Sequence, residues 1–263
     1  MQKEWTPDIN PVFISDDIAF VGGTPVSVHL FISKDGPIIL DTGYPGMIDG
    51  IEQNMRKLGF TLRDVIAIIH THGHIDHYGN TAEIVRLSGA KTYIGIEDVD
   101  IVVGRLDLSW AKELKLSPAQ PFMPDVCFKD GDVLHISDRV IKCVHAPGHT
   151  EGTYAFFIDT KIDGVPAVAA MHGGVGINSM TKAFLNSYNL PFDLRNRFRE
   201  GLHRLSKKHV DIVLGNHPQQ NDTEGKIMHM DSRHNPFVDS SEWPRFLKNC
   251  EANLDNMIAG ETD

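Results

Sequence analysis

Hydrophobic positions along the chain form short runs rich in β-branched residues, and these alternate with stretches whose apolar side chains recur at helical spacing. The short runs predict eight strands, at 27–33, 37–41, 65–70, 91–95, 139–146, 153–158, 166–170 and 211–215. The helical stretches predict four helices, over roughly 46–58, 78–88, 192–208 and 243–258. This alternation predicts an α/β fold, and the length of 263 residues suits one domain over 1–263.

The segment 96–125 fits neither pattern. It contains Trp110 and three prolines, Pro118, Pro121 and Pro124. We expect a broken helix followed by a loop that lies over the functional site.

Charge narrows the classes of partner. The formal net charge is −10, which argues against a nucleic-acid surface. The most basic run, 195–209, carries Phe198, Leu202 and Leu205 at helical spacing, so it predicts an amphipathic helix with its cations in solvent. We therefore expect a small-molecule substrate, with no nucleic-acid or membrane partner, while the oligomeric state stays open.

Cysteine content and the first residues bear on the compartment. Three cysteines do not make a disulfide framework, and Cys143 lies in an apolar run that predicts burial. The N-terminal segment MQKEWTPDINP lacks the apolar core of a signal peptide, and no run has the length of a membrane span. These observations predict a cytoplasmic protein.

The densest candidate chemistry is the stretch HTHGHIDHYGN at 70–80. His72 and His74 are two residues apart, so on an extended backbone both imidazoles project to one side and reach one ion. Asp76 and His77 follow where the chain turns, and they suit a second ion nearby. Imidazole and carboxylate donors favour zinc and similar first-row metals.

Each pair needs a third partner from elsewhere in the chain. The candidates are histidines in glycine- or proline-flanked loops, namely His149, His172 and His217. These residues, together with Asp41 and His72, follow predicted strands, and strand ends at one sheet edge are where α/β proteins build sites. The other histidines are predicted to pack or to face solvent, including His29, His70, His135, His145, His203 and His209.

The order of motifs resembles the metallo-β-lactamase fold superfamily. LDTG at 40–43, HTHGHIDH at 70–77 and PGHTEGT at 147–153 occur in the order that this superfamily shows, and the resemblance spans roughly 18–220. It implies a four-layer αββα sandwich with metals at one edge between two sheets. VAAMHGGVGIN at 168–178 has neither the aspartate nor the cysteine ligand of other members. The pattern is therefore similar to the β-lactamase subclass whose ligands are only histidines and one aspartate.

The resemblance implies two Zn²⁺ ions per chain, one held by His72, His74 and His149 and the other by Asp76, His77 and His217. It also implies that a metal-bound hydroxide opens a cyclic amide or ester, with Asp76 as a catalytic residue that orients this hydroxide and shuttles a proton. Asp41 is expected to hydrogen-bond loop backbone or a ligand histidine. His172 stands about where the missing aspartate would be, and its possible roles are a further ligand, a proton-handling residue or a substrate contact.

The substrate is less well defined than the metal site. The subclass has serines shortly after the strand that ends near residue 170, whereas this chain has Gly173, Gly174 and Val175, with Ser179 further on. A β-lactamase-like hydrolase is the leading hypothesis, and a hydrolase of lactones, thioesters or other small metabolites is the alternative. Two further hypotheses are an iron-binding redox protein related to this superfamily and a non-catalytic binding protein.

Overall fold

The computed structural model describes residues 8–261, which form two β-sheets with helices on their outer faces. The first sheet has seven strands in the order β1 to β7, and the second has five in the order β12-β11-β10-β9-β8. The strands are β1 Val12–Phe13, β2 Ile18–Phe20, β3 His29–Ser33, β4 Gly36–Leu40, β5 Ala67–Ile69, β6 Lys91–Gly95, β7 Val126–Phe128, β8 Val133–Ile136, β9 Arg139–His145, β10 Tyr154–Ile162, β11 Val165–His172 and β12 Ile212–Leu214.

Eight α-helices connect and cover these strands within the described part of the chain. They are α1 Ile48–Lys57, α2 Ile75–Tyr78, α3 Thr81–Ser88, α4 Val99–Val102, α5 Lys182–Ser187, α6 Leu194–Leu205, α7 Thr223–His229 and α8 Glu242–Ala259. None of the helices in 8–261 is both long enough and apolar enough to cross a membrane.

Alternation along the strands divides each sheet between two cores. In β4, Ile38 and Leu40 enter the core between the sheets, whereas Ile39 packs on the outer side. In β10, Phe156 enters the same central core and Phe157 faces outward. Because successive strand residues point to opposite faces, both faces of each sheet are apolar and must be covered.

Helices provide this cover. The outer face of the first sheet packs against apolar residues of α1 and α3, such as Ile51 and Ile84. The outer face of the second sheet packs against α6 and α8, where the indole of Trp243 donates a hydrogen bond of 3.1 Å to the carbonyl of Leu205. The layers therefore run helix, sheet, sheet, helix, and the predicted αββα sandwich is confirmed.

The structure differs from the sequence expectations in one helix and in the number of strands. The helix predicted over 78–88 begins only at Thr81, as α3, and Tyr78 instead ends α2; between them the side-chain amide of Asn80 bonds the carbonyls of Thr42 and Tyr44. A Cβ atom at Gly79 would also collide with the backbone of Pro45. The eight predicted strands are present, and four short ones were missed, namely β1, β2, β7 and β8.

The segment 96–125 contains the short helix α4 and then irregular turns. It is attached to the histidine-rich stretch 70–80, since the backbone N–H of Ile75 donates to the carbonyl of Ser109 at 2.8 Å. Cys143 is 1% exposed, as predicted. The expectation about a signal peptide concerns in part residues 1–7, which lie outside the described residues.

Candidate metal centre

The candidate residues follow the carboxyl ends of strands in both sheets. β4 and β5 are parallel neighbours, and they lead directly into Asp41 and the loop of His72. In the second sheet, β9 leads to His149 and β12 to His217, while His172 is the last residue of β11. Both sheets thus direct side chains to one edge of the sandwich, where open α/β folds place their sites.

The first cluster consists of His72, His74 and His149, whose ligand atoms all lie within 4.8 Å of one another. Nδ1 of His74 is 2.9 Å from Nε2 of His149. The ring of His72 lies 4.6 Å from that of His74 and 4.7 Å from that of His149, measured between centroids. The structure therefore brings together the three residues that were assigned to the first ion.

The second cluster consists of Asp76, His77 and His217, again with ligand atoms within 4.8 Å of one another. Oδ2 of Asp76 lies 3.3 Å from Nε2 of His77 and 3.4 Å from Nε2 of His217. The rings of His72 and His77 are 4.2 Å apart between centroids, so the two clusters are adjacent.

Hydrogen bonds on the outer side of three rings fix which nitrogen faces inward. Nδ1 of His149 donates to the carbonyl of Gly176 at 2.7 Å, and Nδ1 of His217 donates to the carbonyl of Pro25 at 2.9 Å. Nδ1 of His77 lies 2.8 Å from Oδ2 of Asp41. Metal-binding histidines in proteins commonly show this arrangement, because the outer bond sets the tautomer and the ring orientation.

The buried ring nitrogens fit a metal ion. Nε2 of His72 is buried and has no hydrogen-bond partner among the described residues, and the polar partner of Nε2 of His77 there is the Asp76 carboxylate of its own cluster. A buried polar atom without a partner costs free energy, roughly 1–3 kcal/mol. Imidazole nitrogens with one carboxylate are a donor set that suits zinc. The residues present therefore fit a metal centre better than a purely structural cluster.

Burial keeps the first cluster neutral. It lowers the pKa of His72 and His74 below the usual range, and it lowers the pKa of His149 to about 4. Neutral imidazole is the form that binds a metal.

The second cluster differs because it contains negative charge. Burial alone would lower the pKa of His77, but Asp76 and Asp41 beside its ring raise it to about 10. Burial opposes ionisation of Asp76, yet His77 and His217 hold the pKa of its carboxyl below the usual range. Two carboxylates around one buried ring create a site that attracts a cation.

Asp41 connects the loop after β5, which contains Thr71, to the second cluster. Its Oδ2 accepts from Nδ1 of His77 at 2.8 Å and from the hydroxyl of Thr71 at 2.8 Å, and its Oδ1 accepts from the backbone N–H of Thr71 at 2.8 Å. The hydroxyl of Thr71 also lies 3.0 Å from Nδ1 of His72. Asp41 thus bonds both loop backbone and a cluster histidine, the two kinds of partner expected for it in a metal site.

Sequence reasoning missed Asp98, which joins the two loops that carry the first cluster. Its buried carboxylate accepts from the backbone N–H of Gly73 at 2.7 Å, from the hydroxyl of Thr150 at 2.7 Å and from the backbone N–H of Gly152 at 2.8 Å. Burial raises the pKa of Asp98 to about 6 although these donors lower it. No motif marks this residue in the sequence, and its role is visible only once the two loops are adjacent.

His172 belongs to neither cluster. It is 1% exposed, its Nδ1 accepts from the backbone N–H of Gly174 at 3.3 Å, and its ring packs 5.8 Å from that of Phe198. Among the described residues, the two groups of three donors account for all six assigned ligands and leave His172 out.

Comparison with known proteins identifies the family. The profile of the metallo-beta-lactamase superfamily matches residues 21–161, and the chain belongs to that superfamily. Its members are metallo-hydrolases, and the two His/Asp clusters of this chain are groups that could hold metal ions.

Among solved structures, the chain is similar to BJP-1, a subclass B3 metallo-beta-lactamase of Bradyrhizobium japonicum. The TM-score is 0.88 at 24% identity, and the match covers 98% of this chain and 96% of that one. This likeness shows that the two proteins share the fold.

Curated relatives are similar over shorter stretches. An N-acyl homoserine lactonase of a Bacillus species is 24% identical over 165 residues, 53% of this chain and 60% of that protein. Hydroxyacylglutathione hydrolase GloC of Haemophilus influenzae is 26% identical over 139 residues, 52% of this chain and 63% of that protein. The matched part thus spans less than two thirds of each relative.

Proposed function

We propose that this chain is a hydrolase that uses two zinc ions to open a cyclic ester or amide in a small molecule. The observation that carries the proposal is the pair of adjacent donor triads, within which Nε2 of His72 is buried without a hydrogen-bond partner among the described residues. His72, His74 and His149 hold one ion, and Asp76, His77 and His217 hold the other. Zinc bound at such a site lowers the pKa of water towards about 7 and polarises a carbonyl group.

The remaining chemistry comes from the protein. Asp76 is the acidic member of the second cluster and has a partly exposed side chain, at 10%. Because its pKa is held low, its carboxylate is ionised near neutral pH, so it would serve as a metal donor and as a hydrogen-bond acceptor that orients a water molecule at the site. The outer hydrogen bonds of His77, His149 and His217 keep these rings in place while the substrate changes shape.

One observation favours an ester over a β-lactam. The B3-like pattern calls for serines after β11, where this chain has two glycines. A Cβ atom at Gly174 would lie 2.7 Å from Cδ2 of His149, and one at Gly173 would collide with the carbonyl of Tyr154. A serine at either position would therefore displace neighbouring atoms. A lactone needs no contact for a ring carboxylate, so it suits this site better.

We also retain the expectation of a small-molecule substrate without nucleic-acid or membrane partners, in the cytoplasm. In support, four arginines of α6 are each ion-paired with an acidic residue: Arg195 with Glu261, Arg197 with Glu151, Arg199 with Asp255 and Arg204 with Asp130. Paired cations offer less positive charge to a phosphate backbone.

Hydrolysis assays with two substrate classes test the proposal. Zinc-loaded protein is mixed with a γ-lactone, followed with a pH indicator, and with a chromogenic cephalosporin, each beside a chelator-treated control. We expect chelator-sensitive turnover of the lactone and slower turnover of the cephalosporin. Metal analysis accompanies the assay, because two equivalents of zinc without turnover of either substrate would overturn the hydrolase assignment. Iron in place of zinc would favour the redox alternative.

A further inference from the structure

Asp98 lies where the two loops that carry the first cluster meet. It directly precedes α4, and its side chain is fully buried. A residue in this position often caps the helix that follows, but the Asp98 side chain makes no capping hydrogen bond to α4. Its carboxylate instead accepts three hydrogen bonds, all of them from the two loops. Helix capping therefore does not explain why this carboxylate is buried.

The three donors come from loops of opposite sheets. The backbone N–H of Gly73, which lies between the two histidines that the loop after β5 gives to the first cluster, donates to Oδ2 at 2.7 Å. The hydroxyl of Thr150 donates to the same oxygen at 2.7 Å, and the N–H of Gly152 donates to Oδ1 at 2.8 Å. Both of these residues follow His149 in the loop between β9 and β10. The carboxylate therefore bridges the two halves of the first cluster.

The close contact with the second loop depends on a glycine. A Cβ atom at Gly152 would lie 2.5 Å from Cγ of Asp98 and 2.6 Å from its backbone nitrogen. The φ of Gly152 is outside the left-handed region, so this contact, and not backbone strain, is what an alanine would meet there. The missing side chain lets the N–H of Gly152 reach the carboxylate directly.

A second link joins the same loops at their base. The backbone N–H of Tyr154, the first residue of β10, donates to the carbonyl of Thr71 at 3.1 Å. Thr71 follows β5 by two residues, whereas Gly73 lies further out, between two members of the first cluster. The link at the base holds the loops where they leave the sheets, and the Asp98 carboxylate holds the parts that carry the histidines.

The second cluster is held by other residues. Its His77 bonds Asp41, which follows β4, and its His217 bonds the carbonyl of Pro25. The three hydrogen bonds of the Asp98 carboxylate involve none of these residues. Loss of this carboxylate should therefore shift the first cluster and leave the second in place.

We propose that Asp98 is a positioning residue for the first cluster, whose carboxylate holds His72 and His74 on one loop at the correct distance from His149 on the other. Without the carboxylate the three donors no longer converge, so the first ion is bound more weakly and the second is not. The assignment of an ion to each cluster rests on the proposed function, whereas the positioning of the rings does not.

Zinc binding is measured by calorimetry in two backgrounds that each keep one complete cluster. His217→Ala leaves the first cluster complete, and His149→Ala leaves the second complete. In the His217→Ala background, we expect Asp98→Ala to weaken zinc binding by roughly 10–100-fold, as for other residues that orient metal-binding side chains. In the His149→Ala background, the same change should alter zinc binding by less than about threefold, because effects at independent sites add.

Two further variants keep the test usable if Asp98→Ala does not fold. Gly152→Ala retains the carboxylate but displaces it from the loop, so it should weaken the first ion as Asp98→Ala does. Asp98→Asn keeps one acceptor oxygen and should weaken the first ion less. Zinc binding in the His149→Ala background shows that each variant is folded.

Asp16→Ala is the matched control. The carboxylate of Asp16 also accepts two backbone hydrogen bonds from a distant loop, from Asp163 at 2.9 Å and from Gly164 at 2.8 Å. These donors lie in the turn between β10 and β11 and belong to neither cluster. Asp16→Ala should therefore leave the binding of both ions unchanged.

A second measurement needs no metal. Nδ1 of His74 lies 2.9 Å from Nε2 of His149, and Nδ1 of His149 donates to the carbonyl of Gly176, so the proton shared by the two rings is carried by His74. In NMR spectra of the metal-free protein, this ring proton should be protected from exchange with water. Asp98→Ala should remove the protection, and Asp16→Ala should keep it.

The outcomes separate the two proposals. Weakening of the first ion alone in Asp98→Ala and Gly152→Ala supports the positioning role. Equal weakening of both ions, or unchanged binding of the first, overturns it. If neither background binds zinc, the proposed function fails and the ring proton decides the inference. Its loss in Asp98→Ala alone then supports the positioning role, and its persistence there overturns it.

Discussion

Two groups of buried histidines differ in the structure although burial affects them alike. Five histidines belong to the two clusters, whereas His29, His70 and His172 are buried outside them. Burial lowers the pKa of His149 to about 4, and it lowers the pKa of His29 and His70 to about 4 and that of His172 to about 3. A buried, neutral imidazole is therefore no sign of a metal centre by itself.

An unpartnered nitrogen is not sufficient either. Both ring nitrogens of His29 lack a hydrogen-bond partner within 8–261, as does Nε2 of His172. His29 instead meets the edge of the Phe20 ring, 5.7 Å away between centroids. The clustered histidines differ in two ways. Their ligand atoms lie close together in groups of three, and the Nδ1 atoms of His77, His149 and His217 are held by hydrogen bonds. This comparison teaches that geometry, rather than burial, identifies the candidate ligands.

The largest expected effect follows from removing a clustered histidine. His74→Ala should lower bound metal and abolish hydrolysis. Losing the hydrogen-bond partner of a metal-binding residue reduces metal affinity or activity by roughly 10–100-fold, and losing the metal-binding side chain itself should cost more. Metal analysis and lactone hydrolysis measure the result, and His135→Ala, at an exposed histidine of β8, is the control. Full metal and full activity in His74→Ala would remove the first cluster as a metal centre.

A smaller effect is expected from Asp41→Asn, which removes the charge that orients His77. Activity or metal affinity should fall by roughly 10–100-fold. Asp125→Asn is a matched control, since Asp125 accepts from the N–H and hydroxyl of Thr92 as Asp41 does from Thr71, but has no histidine partner. Equal losses in the two variants would show that only the aspartate–threonine contact matters.

Replacing His172 should leave metal content unchanged. His172→Leu removes the acceptor for the N–H of Gly174 and should destabilise the fold by about 1–3 kcal/mol, whereas His172→Asn keeps an acceptor and should cost less. Denaturant unfolding with metal analysis measures both properties. Loss of one metal equivalent from His172→Asn would make this residue a ligand and would end its separation from the clusters.

The last effect concerns His29, and it appears only in the pH dependence of stability. Its folded pKa of about 4 lies below the unfolded value of 6.5, so the unfolded chain takes up the proton first as pH falls. The contribution of His29 to stability is therefore present above pH 6.5 and is lost as pH falls towards 4, by about 3 kcal/mol.

His29→Leu should flatten the unfolding free energy across this pH window without changing metal content or activity. The same substitution at the exposed His135 should leave the slope unchanged. A slope in His29→Leu equal to that of the original chain would contradict the assignment of this pH dependence to His29.

Local sequence was enough to predict part of the candidate site. The spacing of His72 and His74 predicts a shared direction because it depends only on an extended backbone. Asp98 was not predictable in this way, since its donors lie 25, 52 and 54 residues away and meet only when two loops pack together. The strands β1 and β2 were missed because runs of two and three residues carry too little periodicity.

The distribution of the clusters along the chain has a consequence for biosynthesis. The loop after β5 supplies donors to both clusters, but the third member of each comes from the second sheet, His149 after β9 and His217 after β12. A nascent chain emerges from the ribosome N-terminus first. The first triad becomes complete only after residue 149 has been translated, and the second only after residue 217. The order of translation thus sets the order in which the triads can be completed, and a polypeptide interrupted between the two positions leaves the ribosome with one triad at most.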